Sequence, residues 1–508
     1  MSRTPFQEVT AKPAPSAHIS FRERTGSLRA ALMLLLLVAA TAATSSAQTF
    51  KTRYNFCSKK NSTGYCLDGQ NPTATLVQGT NGNLYGTTFY GGPANFGTVF
   101  KVTTGGTLTT IYNFCSQASC ADGSNPQGGL LLASDGNFYG VANQGGANGF
   151  GTVFRITAAG KLTTLHSFTQ TDGAYPQVGL IQATDGNFYG ATSNGGANSG
   201  GTAFEITKSG TLTLLHSFGV VGGGDGYTPN GLIQATDGNF YGTGYNGGIE
   251  GGCAPLSGGG TFFQLTSSGT LTPLAMFCQP NGFYPNSALV QAASGNFYGT
   301  TAGGGNGTST GFGTVYEMTS TGSSTSLYSF CLQTGCADGS DPQALILGTD
   351  GNFYGTTRSG GANSGTGTVF EITPTGQLTT LQTFTGIGTS GVNPTGALLL
   401  DTNGTFYGTT WSGGKNGSYG TLFSLATGLG PFVETIPASG KVGTKVIILG
   451  TNLKGATAVN FNGTAATFKV VGSSEITTTV PTGATSGTVT VTTLGGTTLN
   501  SSVAFQVP

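Results

Sequence analysis

Residues 183–190 read Ala183-Thr184-Asp185-Gly186-Asn187-Phe188-Tyr189-Gly190. Asp-Gly is a hairpin signal, because both central positions of a type I′ turn need positive φ. The apolar run 179–183 before it and Phe188 to Thr192 after it therefore read as two antiparallel strands. Beyond Gly195-Gly196, residues 201–207 give a third strand, Ser209-Gly210 turns the chain, and residues 212–218 give a fourth. No stretch carries helical periodicity, so the unit is all β.

The phrase recurs. Its tyrosines are Tyr85, Tyr139, Tyr189, Tyr241, Tyr298, Tyr354 and Tyr407, spaced by 54, 50, 52, 57, 56 and 53 residues. Seven copies of about fifty residues suit the four-stranded blades of a β-propeller. The ends of the array argue for a closed ring. The seventh copy has a third strand at 420–426 but no fourth, while Phe50 to Phe56 is an orphan fourth strand resembling Ile111–Phe114 and Leu327–Phe330. An N-terminal strand completing the last blade leaves no exposed edge to invite aggregation. The expected fold is thus a seven-bladed propeller over residues 48–430.

From Pro431 the composition changes. Val442 to Leu453, Ala458 to Gly463, Gly487 to Val491 and Val503 to Val507 read as short strands at sandwich spacing. Two resemblances follow. The repeat is similar to the bacterial tandem repeat called GloVer, found in secreted and surface proteins with varied anchors. Residues 431–508 resemble the immunoglobulin-like IPT/TIG domain, a surface spacer or binding module. The first resemblance implies an extracellular location and little else, and it supplies no catalytic residues to carry over.

The N-terminus supports export. Arg22, Arg24 and Arg29 precede the apolar run 30–43, and Ser45-Ser46-Ala47 supplies small residues for cleavage before Gln48. Residues 1–47 are expected to be a signal peptide rather than a membrane span, so no transmembrane segment remains after cleavage. In an oxidising compartment the eight cysteines are expected to pair. Three pairs are local, Cys57 with Cys66, Cys115 with Cys120 and Cys331 with Cys336, which leaves Cys253 and Cys278. No Cys/His spacing suggests zinc.

Charged residues are only 7% of the chain and net charge is zero, which argues against nucleic acid as a partner. A catalyst needs a singular constellation, and most carboxylates here recur. Asp135, Asp185, Asp237 and Asp350 sit in the hairpin turn. Asp68, Asp122, Asp172, Asp225 and Asp338 sit in an Asp-Gly-x-x-Pro loop, and Glu205, Glu317 and Glu371 share one strand position. Only Glu250, Asp341 and Asp401 stand apart, a poor supply for glycoside hydrolysis. His166 and His216 share a position held elsewhere by Tyr54, Tyr112, Tyr328 or Gln382, with no evident partner. One Asp per turn is too few oxygens for calcium, and no metal or cofactor is expected.

The variable positions are more informative. After each Tyr-Gly come two mostly small residues, a variable pair and a Gly-Gly. The pairs include Phe89-Tyr90, Asn143-Gln144, Tyr245-Asn246, Arg358-Ser359 and Trp411-Ser412, the last holding the single tryptophan. With the first strand innermost, these pairs and the cysteines share the face opposite the tight turns. Aromatics with Asn, Gln and Arg suit a glycan or peptide, offering flat apolar area and directional hydrogen bonds. Phe89, Tyr90, Asn143, Gln144, Tyr245, Asn246, Arg358 and Trp411 are therefore the candidate ligand-binding residues, with no catalytic residue assigned. The expectation is a secreted or cell-surface binding or scaffold protein whose partner is an extracellular glycan or surface protein. The alternatives are a polysaccharide lyase or hydrolase using Asp341, Tyr245 and Arg358, and a purely structural envelope protein.

Overall fold

The computed structural model describes residues 48–220, 224–248, 258–278, 280–305, 311–362, 365–386 and 390–508. The expected signal segment, Glu250 and Cys253 lie outside the described residues. The fold is all β, and the only helical elements described are two short 3-10 turns, Ala118–Cys120 and Thr334–Cys336. Among the described residues, no helix is long and apolar enough to cross a membrane.

Residues 49–426 form seven antiparallel sheets. The third sheet shows the plan, with strands Ile181–Gln182, Phe188–Thr192, Thr202–Ile206 and Leu212–Ser217 in that order. Strands two to four fall where the sequence puts them. The first strand is shorter than expected, because only Ile181 and Gln182 pair with their neighbours. In the fifth and seventh sheets it is split into two pieces. The seventh sheet takes Thr49–Asn55 as its outer strand, antiparallel to Thr421–Ala426.

Side-chain chemistry explains the repeated phrase. Asp185 Oδ1 accepts the Asn187 N–H at 2.9 Å, and its Oδ2 accepts the Tyr189 hydroxyl at 2.8 Å. The turn aspartate therefore closes the hairpin and holds the tyrosine of the next strand. Asp135, Asp237 and Asp350 make the same two bonds. The glycine after that tyrosine has a packing cause. Gly190 pairs with Phe204, and a Cβ there would lie 2.7 Å from the phenylalanine ring.

Neighbouring sheets are riveted by aromatics. A phenylalanine after each fourth strand meets the third-strand aromatic of the next sheet. The pairs are Phe114–Phe154, Phe168–Phe204, Phe218–Phe263, Phe277–Tyr316, Phe330–Phe370, Phe384–Phe423 and Phe56–Phe100, at 4.8–5.4 Å. The last pair joins the seventh sheet to the first, so the packing is cyclic.

Residues 434–500 form two further four-stranded sheets around one core that includes Val446, Ile448, Val459, Phe461 and Val491. The strand Lys445–Leu449 has two apolar faces. Val446 and Ile448 enter its own core, whereas Ile447 and Leu449 join the cluster between the first and second sheets of the repeat array. Ser474 donates to the Thr80 carbonyl at 2.7 Å, and Thr402 meets Thr451 at 3.3 Å. Both contacts fall on hairpin turns, so this domain is seated on the tight-turn side.

Candidate functional site

On the opposite side, two repeat positions from each sheet converge. The first is the leading residue of the variable pair. The second is the residue before the loop proline, Asn71, Asn125, Tyr175, Thr228, Tyr284, Asp341 and Asn393 in turn. All seven adopt positive φ, between 54° and 61°. That is an uncommon conformation for a residue other than glycine, and each is held by one bond. The backbone N–H of Asn71, Asn125, Tyr175, Thr228, Tyr284, Asp341 and Asn393 donates to a carbonyl of the preceding sheet. The loop is thereby pinned so that each side chain projects at the seam between two sheets.

Where the pre-proline residue is Asn, its amide also grips the leading residue of the preceding pair. Asn125 donates to the Phe89 carbonyl, Asn71 to that of Trp411 and Asn393 to that of Arg358, at 2.8–3.0 Å. Tyr175, Thr228, Tyr284 and Asp341 depart from this pattern, and beside the last two a cleft of about 750 Å³ opens. Its walls include Tyr245, Tyr284, Phe312, Asn286, Gln343, Asp341 and Arg358. Tyr245 and Tyr284 stack at 5.3 Å with 20° between their planes, making one aromatic shelf. Across it, Arg358 Nη1 stands 3.9 Å from Asp341 Oδ2, a loose pair that leaves the guanidinium exposed. Gln343 donates to Asp341, and Asn286 to the Pro342 carbonyl.

Burial raises the Asp341 carboxyl above the ordinary carboxylate range, opposed by Arg358 and Gln343. Burial also raises the Tyr245 hydroxyl, helped by Asp341 and Tyr284. The cleft thus offers an apolar shelf, one exposed cation, one carboxyl and two amides. Among the described residues, no group of three His, Cys, Asp or Glu side chains could hold a metal ion.

The Gloeobacter/Verrucomicrobia repeat profile matches residues 41–256 and 250–467, in two tandem copies. This chain belongs to the Gloeobacter/Verrucomicrobia repeat family. The IPT/TIG domain matches residues 431–507. No curated protein sequence matches this family member. Similar solved structures include the extracellular domain assigned to a hybrid two-component system of B. thetaiotaomicron, at 12% identity and TM-score 0.45. That match covers 85% of this chain and 52% of the other, so the chain spans about half of that structure's length. PorZ, a surface component of the type-IX secretion system of Porphyromonas gingivalis, matches at 14% identity and TM-score 0.44, over 88% of this chain and 60% of its own. The periplasmic gluconolactonase PpgL of Pseudomonas aeruginosa matches at 16% identity and TM-score 0.40, over 70% and 96%. Likeness at this level bears on neither ligand nor activity.

Within this Gloeobacter/Verrucomicrobia repeat chain the eight candidate residues separate. Tyr245 and Arg358 line the cleft. Phe89, Tyr90 and Trp411 form a second aromatic group, Phe89 lying 4.7 Å from Tyr90 and 6.1 Å from Trp411. Asn246 and Gln144 are exposed and pair through their backbones with Tyr227 and Ser124. Asn143 stands apart from both groups. It is buried, with its amide turned toward the Pro176 carbonyl of the next sheet.

Two further expectations are corrected. Asp341 is not outside the repeat, since it occupies the pre-proline position of the sixth sheet. The histidines do have partners. His166 Nε2 lies 2.9 Å from Asp172 and His216 Nε2 lies 3.1 Å from Asp225. Tyr54, Tyr112 and Tyr328 make the corresponding bond to Asp68, Asp122 and Asp338. The Asp-Gly-x-x-Pro aspartate is therefore a strand-to-loop anchor, and Tyr and His are alternative donors to it. Cys57–Cys66, Cys115–Cys120 and Cys331–Cys336 are bonded as expected, and Cys278 is also in a disulfide.

Proposed function

We propose that this is an exported, non-catalytic glycan-binding protein. In this reading residues 1–47 are a cleaved signal and residues 48–430 a seven-bladed propeller closed by its N-terminal strand. Residues 431–508 are an immunoglobulin-like sandwich. The observation that carries the function is the cleft, where the Tyr245–Tyr284 shelf faces Arg358, Asp341, Asn286 and Gln343. A pyranose ring has apolar faces that suit such a shelf, and a rim of hydroxyls that suit side chains able to donate and accept. The extracellular setting is supported by the disulfides, which persist in oxidising compartments. The seating of the C-terminal domain on the tight-turn side supports use of the long-loop face, which it leaves open.

The test is retention of the purified chain from Gln48 onward on immobilised polysaccharides, with release of new chain ends measured in the same wells. Retention without release, reduced at least about tenfold in affinity by Tyr245→Ala, is the expected result. Release of chain ends would replace this reading with that of a polysaccharide lyase or hydrolase, and Asp341→Asn would then be the first variant to make. Binding to a surface protein but to no polysaccharide would overturn the ligand class.

A further inference from the structure

The cleft lies between the fourth, fifth and sixth sheets, whereas the Phe89, Tyr90 and Trp411 group lies at the seam of the seventh and first. In the cyclic order of sheets these seams are about as far apart as the ring allows. Each is built by the same device, a leading pair residue packed beside a pinned pre-proline residue. The second group is fixed from below, because Asn71 and Asn125 hold the carbonyls of Trp411 and Phe89. A further aromatic position adds to both groups. The residue two places before each third strand is Phe96, Phe150, Phe312 or Tyr419 in four of the sheets. Phe96 and Phe312 are exposed, at 39% and 47%, and Phe150 meets Tyr175 at 6.0 Å. Phe312 belongs to the cleft and Phe96 to the first sheet beside the second group, and exposed aromatics gathered at two places on one face need an explanation, since only scattered single ones are ordinary.

We infer that the ligand is a glycan polymer crossing the face of the ring, with one run of sugars in the Tyr245–Tyr284 cleft and another over Phe89 and Trp411. This rests on the glycan reading above and adds its length. A short oligosaccharide fills only the cleft. A chain long enough to reach the second group gains a second binding event at high effective concentration. The polymer class that fits is a neutral β-linked glucan, xylan or mannan. Its flat rings can lie on the two aromatic groups, and no band of cations on this face would be needed.

The experiment is calorimetric titration of the intact mature chain with cello-, xylo- and manno-oligosaccharides from disaccharide to decasaccharide. For at least one series, affinity should climb by roughly tenfold or more beyond the length that saturates the cleft. Trp411→Ala should remove that increment and leave disaccharide to tetrasaccharide affinity unchanged. Tyr284→Ala should weaken every length. Tyr90→Ala, at an exposed side chain, repeats the Trp411 test without threatening the fold. A length profile unaltered by both Trp411→Ala and Tyr90→Ala would overturn the second subsite and leave the cleft reading standing. Affinity that is flat with length would do the same. Binding of no oligosaccharide in any series would overturn both.

Discussion

Asp122 is fully buried and accepts four hydrogen bonds, from the Tyr112 hydroxyl, the Ser116 N–H and hydroxyl, and the Gln117 N–H. A buried carboxylate is tolerable when its lone pairs are this fully used. Removing it strands those donors, so Asp122→Ala is expected to cost about 3 kcal/mol, read as a lowered midpoint of chemical denaturation. His216→Tyr should change the same midpoint by less than about 1 kcal/mol, because tyrosine reaches the equivalent aspartate in other sheets. Both recurrent positions were legible in the sequence, but their bond was not, since it joins the end of one unit to the loop that opens the next. Tyr284 was missed for a related reason. Its importance comes from the left-handed pre-proline backbone, which no hydrophobic pattern signals. Tyr316 is a third case, replacing the usual third-strand phenylalanine with a hydroxyl that is buried and has no partner among the described residues. Tyr316→Phe should therefore raise the melting temperature or leave it unchanged, whereas a loss of stability would mean that the hydroxyl is satisfied.

At the scale of strands, reading the repeat placed strands two to four within about a residue, because a tight turn fixes one end of each. The first strand was the weak point. Its apolar run looked five residues long, yet in the first three sheets only two residues pair. In the fourth and sixth sheets it extends to eight residues with a register shift beside the proline. The pinned left-handed residue before that proline is common to all seven sheets, so the length of the pairing varies on a constant loop, and periodicity does not report it. The N-terminal strand, by contrast, was plain from what the seventh copy lacked. Thr49–Asn55 covers the edge of Thr421–Ala426 and brings Phe50 onto Phe423 at 5.5 Å. A variant beginning at Cys57 leaves that edge open and is expected to self-associate. Light scattering should show species larger than the intact chain, and an added peptide spanning residues 48–56 should reduce them. Unchanged mass without the strand would show that another segment covers the edge.

At the scale of the molecule, the sequence marked a second domain but not how it is attached. The run Val446-Ile447-Ile448-Leu449 read as one strand, and its two apolar faces become meaningful only when a second body covers the outer one. That junction also holds carboxyls. Asp401, in the last repeat, is buried with one oxygen lacking a partner among the described residues, and burial raises it to about 6. Glu434, on the first strand of the C-terminal domain, is raised to about 7 by burial and by Asp401. Both groups are therefore protonated in the folded chain at pH values where the unfolded chain has released its protons. A raised carboxyl stabilises the fold below its ordinary range, and that stability is lost as pH rises through the folded value. The expected result is a melting temperature that falls as pH rises from about 5 to about 7, most steeply near pH 5–6, where both carboxyls are protonated folded and ionised unfolded, and that levels off by pH 8. Asp401→Asn removes one of the two protons and keeps the shape, so the slope should shrink while stability at pH 8 rises. Should wild type and Asp401→Asn melt in parallel across this range, the junction carboxyls would be ionised in the folded state, and the apolar contact of Ile447 and Leu449 would hold the domains without them.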